Sequence, residues 1–288
     1  MIRHQRGTAL LLVLWVTVLL AALLIGVAAA SRSQSQAALY GAERVRAELV
    51  AEAGLAHAVA GLRAPDLRDQ WIPDGRPYDF EFGGAKVRVQ VVDVSGLVDL
   101  NASPPDLLGG VFAAAGVDRA RAEQFANTLA AWRGDLPRQP LPLRGGAAAQ
   151  PHGPFRAIEQ LARLPGMTVD LFARVDQAVT VFSGRNFPDA SYAPPLSLAA
   201  LQGLGPDQAK ALVAQRRSRP AQRGAGNGRA LGAVANGPLI AGYGGVVERV
   251  FSTATMPDGT RVGLDVTIRL ALTGTRARPY KVLDWRVD

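Results

Sequence analysis

Three histidines and no cysteine leave this chain little to do chemistry with. His4 lies in a short basic leader, His57 in a long helical pattern and His152 in a Gly/Pro loop, so no two share a local element. No nucleophile–base pair, HExxH or GxxxxGK[ST] is present, and "GAGNG" (224–228) lacks the strand–turn–helix setting of a dinucleotide loop. Without cysteine there is neither a disulfide framework nor a thiolate metal site. The reading is therefore not an enzyme, with no catalytic residue and no metal ligand assigned. The formal charge of +8 raises the question of a polyanion partner, but it comes almost wholly from arginines scattered along the chain. Only Lys86, Lys210 and Lys281 are lysines, the balance expected of a GC-rich genome.

The element that organises the rest is N-terminal. Arg3 and Arg6 precede Gly7, and from Thr8 to Ala30 no charge occurs. A helix of that span is roughly 34 Å long, enough to cross a bilayer core of about 30 Å. The run exceeds the 7–15 residue core of a cleaved secretory signal, and the helical pattern continues past it. Ala38, Ala42, Val45, Leu49, Ala53, Ala56 and Ala60 recur at spacings of four and three. With no proline before Pro65, one helix of over fifty residues is expected, its leader cytoplasmic and its bulk on the far side of the membrane. Val45, Leu49, Ala53 and Ala56 are the candidate surface for packing partner helices, and the same stripe is expected to cover the chain's own sheet.

Residues 78–94 alternate about Gly83–Gly84 and read as a hairpin. "SGLVDLNA" (95–102) leads into "SPPD", where Ser103 is the expected helix cap. Helices are expected near 104–115, 118–132, 155–163, 168–178, 195–201 and 206–217. Residues 218–238 read as a Gly/Arg-rich flexible loop, and three antiparallel strands follow it. The fold class is α+β: a long helix on an antiparallel sheet, split by a large helical insertion. Its expected parts are a leader (1–7), a transmembrane helix (8–30), a first sheet part (31–102), the insertion (103–240) and C-terminal strands (241–288).

"LQGLGPDQAKALVAQR" (201–216) resembles a helix-hairpin-helix, whose helix-start N–H groups bind DNA phosphate. "LARLPGMTVDLFARV" (161–175) is a looser copy. Asp207 sits beside the hairpin and basic residues do not bracket it, so these read as packing turns and nucleic acid is not the expected partner.

The basic leader, glycine and long apolar helix resemble a class III, type IV pilin-like signal. That resemblance implies cleavage by a prepilin peptidase after Gly7 and methylation of Thr8. The fifth residue after the cut is normally glutamate, thought to pair with the N-terminus of a neighbouring subunit; here it is Leu12. A charged amine within a bilayer costs several kcal/mol unless paired. A subunit carrying Leu12 does not neutralise one above it, which suits the end of a filament. Further segments resemble the GspK family, the protein K minor pseudopilins of type II secretion, in order along the chain. They are "RGTALLLVLWVTVLLA", "GLVDLNA", "LAAWRGDLPRQ" with Trp132, Asp135, Pro137 and Arg138, "GPFRAIEQLARLPGM" and "YKVLDWR".

The resemblance implies a type IV pilin-like fold with an inserted α-helical domain, set at the tip of a periplasmic pseudopilus. Its implied partners are I-type and J-type minor pseudopilins, other pseudopilins, the prepilin peptidase and the inner-membrane assembly platform. It also implies calcium, but Gly134 stands where an acid is common and "GGAAAQPHG" (145–153) has no carboxylate. Calcium wants six to eight oxygen ligands, which argues against a site there. A second reading is a membrane-anchored DNA receptor of competence type. Such receptors end near the hairpin motif, whereas about 70 residues follow Arg216 here.

Overall fold

The structure, a computed structural model, describes residues 5–66, 68–134, 153–201, 204–218, 247–271 and 279–287. In its first segment side chains are described for 12–24 and 40–66. Helix α1 runs unbroken over Gln5–Leu62 and stops before Pro65, which cannot continue it. Its last five turns turn Ala47, Val50, Ala51, Leu55, Ala58, Val59 and Leu62 inward. These are not the Val45–Leu49–Ala56 row. That row points away: Val45 is 55% and Leu49 60% exposed, and Ala53 is half-buried. The helix thus has two apolar stripes, and the sheet takes the one that alternates with glycine and alanine.

A hairpin of β1 (Asp74–Phe82) and β2 (Ala85–Asp93) follows, closed by Gly83 and Gly84 with φ of 59° and 81°. Positive φ at both central residues is the two-residue turn that matches strand twist, and glycine adopts it without strain. The insertion then opens with the short strand β3 (Val98–Asp99) and continues through α2 (Pro105–Ala114) and α3 (Arg119–Arg133). After it come α4 (Val169–Asp176), β4 (Val179–Thr180), α5 (Pro195–Ala199) and α6 (Pro206–Ser218). The chain returns with β5 (Val247–Thr255), β6 (Arg261–Leu270) and β7 (Tyr280–Val287). The five long strands form one antiparallel sheet in the order β1-β2-β5-β6-β7. The helical part is therefore inserted between two strands that are neighbours in space, β2 and β5.

Two cores result. Val87, Val89 and Val91 of β2, with Val262, Leu264, Val266 and Ile268 of β6, meet α1. Their period of two leaves Arg88 and Gln90 on the other face. The insertion has its own core around Leu108, Phe112, Phe125, Leu129, Leu161 and Val175, beginning at Val98 and Leu100. Phe112 and Phe125 stack at 4.5 Å.

Two expectations need correction, and one pairing is new. Residues Ile158–Arg163 form a 3₁₀ helix, shorter and tighter than the α-helix expected over 155–163. Ser103 does not cap α2: Pro104, extended at ψ 154°, holds the cap position and Pro105 the first turn. The Ser103 hydroxyl is buried without a hydrogen-bond partner among the described residues. Finally, β3 and β4 pair in parallel, a pairing two residues long that no alternation could reveal. The 218–238 loop lies beyond Ser218 outside the described residues.

The face assignment is testable in chemical denaturation. Leu55→Ala, which empties a site only 2% exposed, should cost about 2–5 kcal/mol. Leu49→Ala, on the outer stripe, should stay within about 0.5 kcal/mol of the parent.

Candidate functional site

Two described stretches of the long helix, 12–24 and 40–46, present exposed apolar side chains. Leu12, Trp15, Leu19 and Leu23 are each 60–70% exposed along the N-terminal half of α1. Tyr40 (73%), Val45 and Leu49 continue that apolar exposure toward the sheet domain. Beside them the i,i+4 pair Arg44–Glu48 and the i,i+3 pair Glu43–Arg46 keep the flanks polar. Apolar exposure on this scale marks a surface meant to be covered by protein or lipid. Gly7 and Thr8 lie within α1, but their side chains are outside the described residues, as are those of 25–39. Among the described residues no helix is long and apolar enough to cross a membrane. The expected span of 8–30 has described side chains only at 12–24.

The segments singled out in sequence meet physically in the insertion. Asp99, 1% exposed, accepts from the N–H groups of Asn101 (2.8 Å), Ala102 (3.1 Å) and Gly184 (2.7 Å) and from the Ser183 hydroxyl (3.0 Å). Four donors suit a buried carboxylate, which is costly without them. Asn101 donates to the Phe155 carbonyl at 2.9 Å and accepts the Phe155 N–H at 2.6 Å. Trp132 stacks on Phe155 at 5.4 Å, and Arg133 donates to the carbonyls of Leu100 (3.0 Å) and Ser103 (2.9 Å). "GLVDLNA", the Trp132 element and "GPFRAI" are thus three sides of one scaffold. Asp135, Pro137 and Arg138 lie outside the described residues.

The insertion is joined to the sheet by buried charge. Arg249 on β5 has a side chain only 2% exposed. Its guanidinium forks onto Asp265 of β6 at 2.9 and 2.7 Å. It also donates to the carbonyl and carboxylate of Asp176 on α4, at 2.6 and 2.5 Å. Arg286 of β7 touches the same two acids, Asp176 at 2.9 Å and Asp265 at 2.5 Å. The four close a ring of alternating charge. Burial pulls the Arg249 guanidinium down, but the bonds to Asp265 and Asp176 outweigh it and hold it above its ordinary value. Arg286 is held above its own in the same way, chiefly against burial by Asp265 and Asp176. Asp284 is raised as well, by burial despite Arg286 beside it, which for a carboxyl favours the uncharged form.

A second joint lies on the other side. Arg216 of α6 donates to the carbonyls of Ala190 (2.9 Å), Ala193 (3.1 Å) and Asp74 (3.3 Å). Burial lowers its guanidinium to about 10, opposed by the Asp74 carboxylate 3.8 Å away. The sequence assigns none of these arginines a charge role, although Arg216 and Arg286 close the quoted segments "LQGLGPDQAKALVAQR" and "YKVLDWR". The available signal was "VVERVF", a charged pair interrupting an apolar run at 246–251.

The remaining candidates stay apart. His57 packs its ring against Trp71 (5.2 Å, edge-on) and Phe80 (4.5 Å); His4 and His152 lie outside the described residues. Gly134 caps α3 in the left-handed region at φ 83°, a backbone that favours glycine over an acid. Among the described residues no group of three or more His, Asp or Glu is placed to hold a metal ion, and 145–152 lie outside them.

No family model matches the sequence, and no curated protein does. Among solved structures, the chain superposes on a chain from the crystal structure of the GspK-GspI-GspJ complex of the enterotoxigenic Escherichia coli type 2 secretion system. The TM-score is 0.54 at 15% identity, covering 89% of this chain and 99% of that one. The two share a fold. The likeness takes in sheet and insertion together, since neither alone spans 89% of the residues.

Removing Arg249 leaves Asp176 and Asp265 to share Arg286 alone. Arg249→Ala should lower the unfolding free energy by about 3–5 kcal/mol, read by denaturant titration. Arg88→Ala, which removes an exposed pair with Asp79, should leave the denaturation midpoint unchanged within error.

Proposed function

We propose that this chain is a minor pseudopilin of type II protein secretion, working at the tip of the periplasmic pseudopilus. The carrying observation is the shared fold over nearly the whole of both chains, insertion included. In this reading α1 anchors the chain in the inner membrane, and the sheet and insertion project into the periplasm. Its partners are I-type and J-type minor pseudopilins, packed against the outward stripe of Val45, Leu49, Ala53 and Ala56. The prepilin peptidase cuts after Gly7 and leaves Thr8 methylated. Leu12 then faces no amine above it, as the end of a filament requires. The assembly platform and other pseudopilins contact the same helix lower down.

The role is mechanical, so the chain works without a catalytic residue. Arginine–carboxylate joints do the work of fixing the insertion, and calcium has no part in the proposal. The DNA-receptor reading fits less well: β5, β6 and β7 follow the hairpin-like turn and make up most of the sheet.

The test is purification of the full chain from detergent-extracted membranes, co-expressed with I-like and J-like subunits of the same genome. A stable ternary complex is expected, and mass spectrometry should find the chain starting at a methylated Thr8. A folded, monodisperse chain that binds neither subunit would overturn the tip assignment. A start near Ser31 would show an ordinary secretory signal instead.

A further inference from the structure

Strand β7 is, with β1, one of the two edges of its sheet: it pairs on one side only, with β6, and that pairing is interrupted between Thr267 and Ile268. What sets it apart from β1 is its burial. None of its residues is fully buried. Val282, Trp285 and Val287 are 40–42% exposed, while Tyr280, at the start of the strand, packs partly buried against the core beneath α1. An edge strand with so little apolar surface buried is where a sheet opens first.

Its fixed point is Arg286. That side chain meets Asp176 at 2.9 Å and Glu159 at 3.2 Å, both in the insertion. It also meets Asp265 of β6 at 2.5 Å and Asp284 at 3.3 Å. Asp284 is on β7 itself and ties it to nothing else. Two of the three carboxylates that anchor the strand therefore belong to the insertion. The sheet, by contrast, holds a charge pair without β7: Arg249 of β5 forks onto Asp265 of β6. Releasing β7 strands no buried charge on the four strands left behind.

We propose that β7 is a strap seated by the insertion: Glu159 and Asp176 hold Arg286, and through it the strand, across the open edge of β6. The insertion then decides whether the sheet ends at β7 or at the backbone edge of β6. This inference stands on the joint alone and does not depend on the secretion role.

Hydrogen exchange on the full chain in detergent tests it, peptide by peptide. Glu159→Gln with Asp176→Asn should speed exchange over 280–287 at least tenfold, with β2 and β5 unchanged. Lys281→Ala, an exposed change on the same strand, should have no such effect. Raising salt from 50 mM to 1 M on the unmodified chain should move 280–287 in the same direction, since the Glu159 contact is half in water. This second arm needs no variant to fold. Unchanged exchange over 280–287 in both arms, or equal acceleration of every strand, would overturn the proposal.

Discussion

Arg249 is a cation taken almost wholly out of water, and the architecture around it is arranged so that it never lacks a partner. It sits on β5, the strand by which the chain re-enters the sheet after the insertion. Asp265 comes from the next strand and Asp176 from the insertion, so one side chain records both the sheet's register and the insertion's seat. Its aliphatic and planar parts are covered as well, with the Phe251 ring 4.8 Å away. A buried pair of this kind adds modest net stability, but an unpaired member is very costly. The joint therefore acts chiefly by excluding other arrangements. Any placement of the insertion that moves Asp176 leaves Arg249 less than fully paired.

That constraint bears on function through rigidity. In the proposed role neighbouring subunits grip the long helix, which is useful only if the body it carries holds a fixed orientation. The inner stripe of α1, from Ala47 to Leu62, ties the helix to the sheet. Arg249 and Arg216 tie the sheet to the insertion on two sides. The C-terminal turns of α1, the sheet and the insertion are thus tied to one another. The outer stripe of α1 is left free to meet other chains.

Much of this was legible in the sequence because it is periodic or punctuated. The hairpin about Gly83–Gly84, the three strands after residue 246 and five of the six insertion helices are read from spacing and breakers alone. The 3₁₀ helix at 158–163 was not, because a single 3₁₀ stretch carries no distinct period. The two stripes of α1 were merged for a related reason: alanine is small enough to sit on either, and only the sheet decides which one is buried. The charge joints were the least legible. An arginine at a buried strand position looks like any other in an arginine-rich chain until its acids, 73 and 16 residues away, are brought to it. The motifs that suggested a relationship, such as Asp99 and Asn101, turned out to hold loops together, which explains their wording without giving them chemistry.

The central claim is that Arg249 and Asp176 energetically couple the sheet to the insertion, and a double-mutant cycle measures it most directly. Unfolding free energies would be compared for the parent, Arg249→Met, Asp176→Asn and the pair together. The account predicts that the double variant is more stable than the sum of the two single losses implies, by about 1.5–3 kcal/mol. Additivity within about 0.5 kcal/mol would mean that the two residues stabilise their own units separately, and the joint would not be what holds the insertion in place.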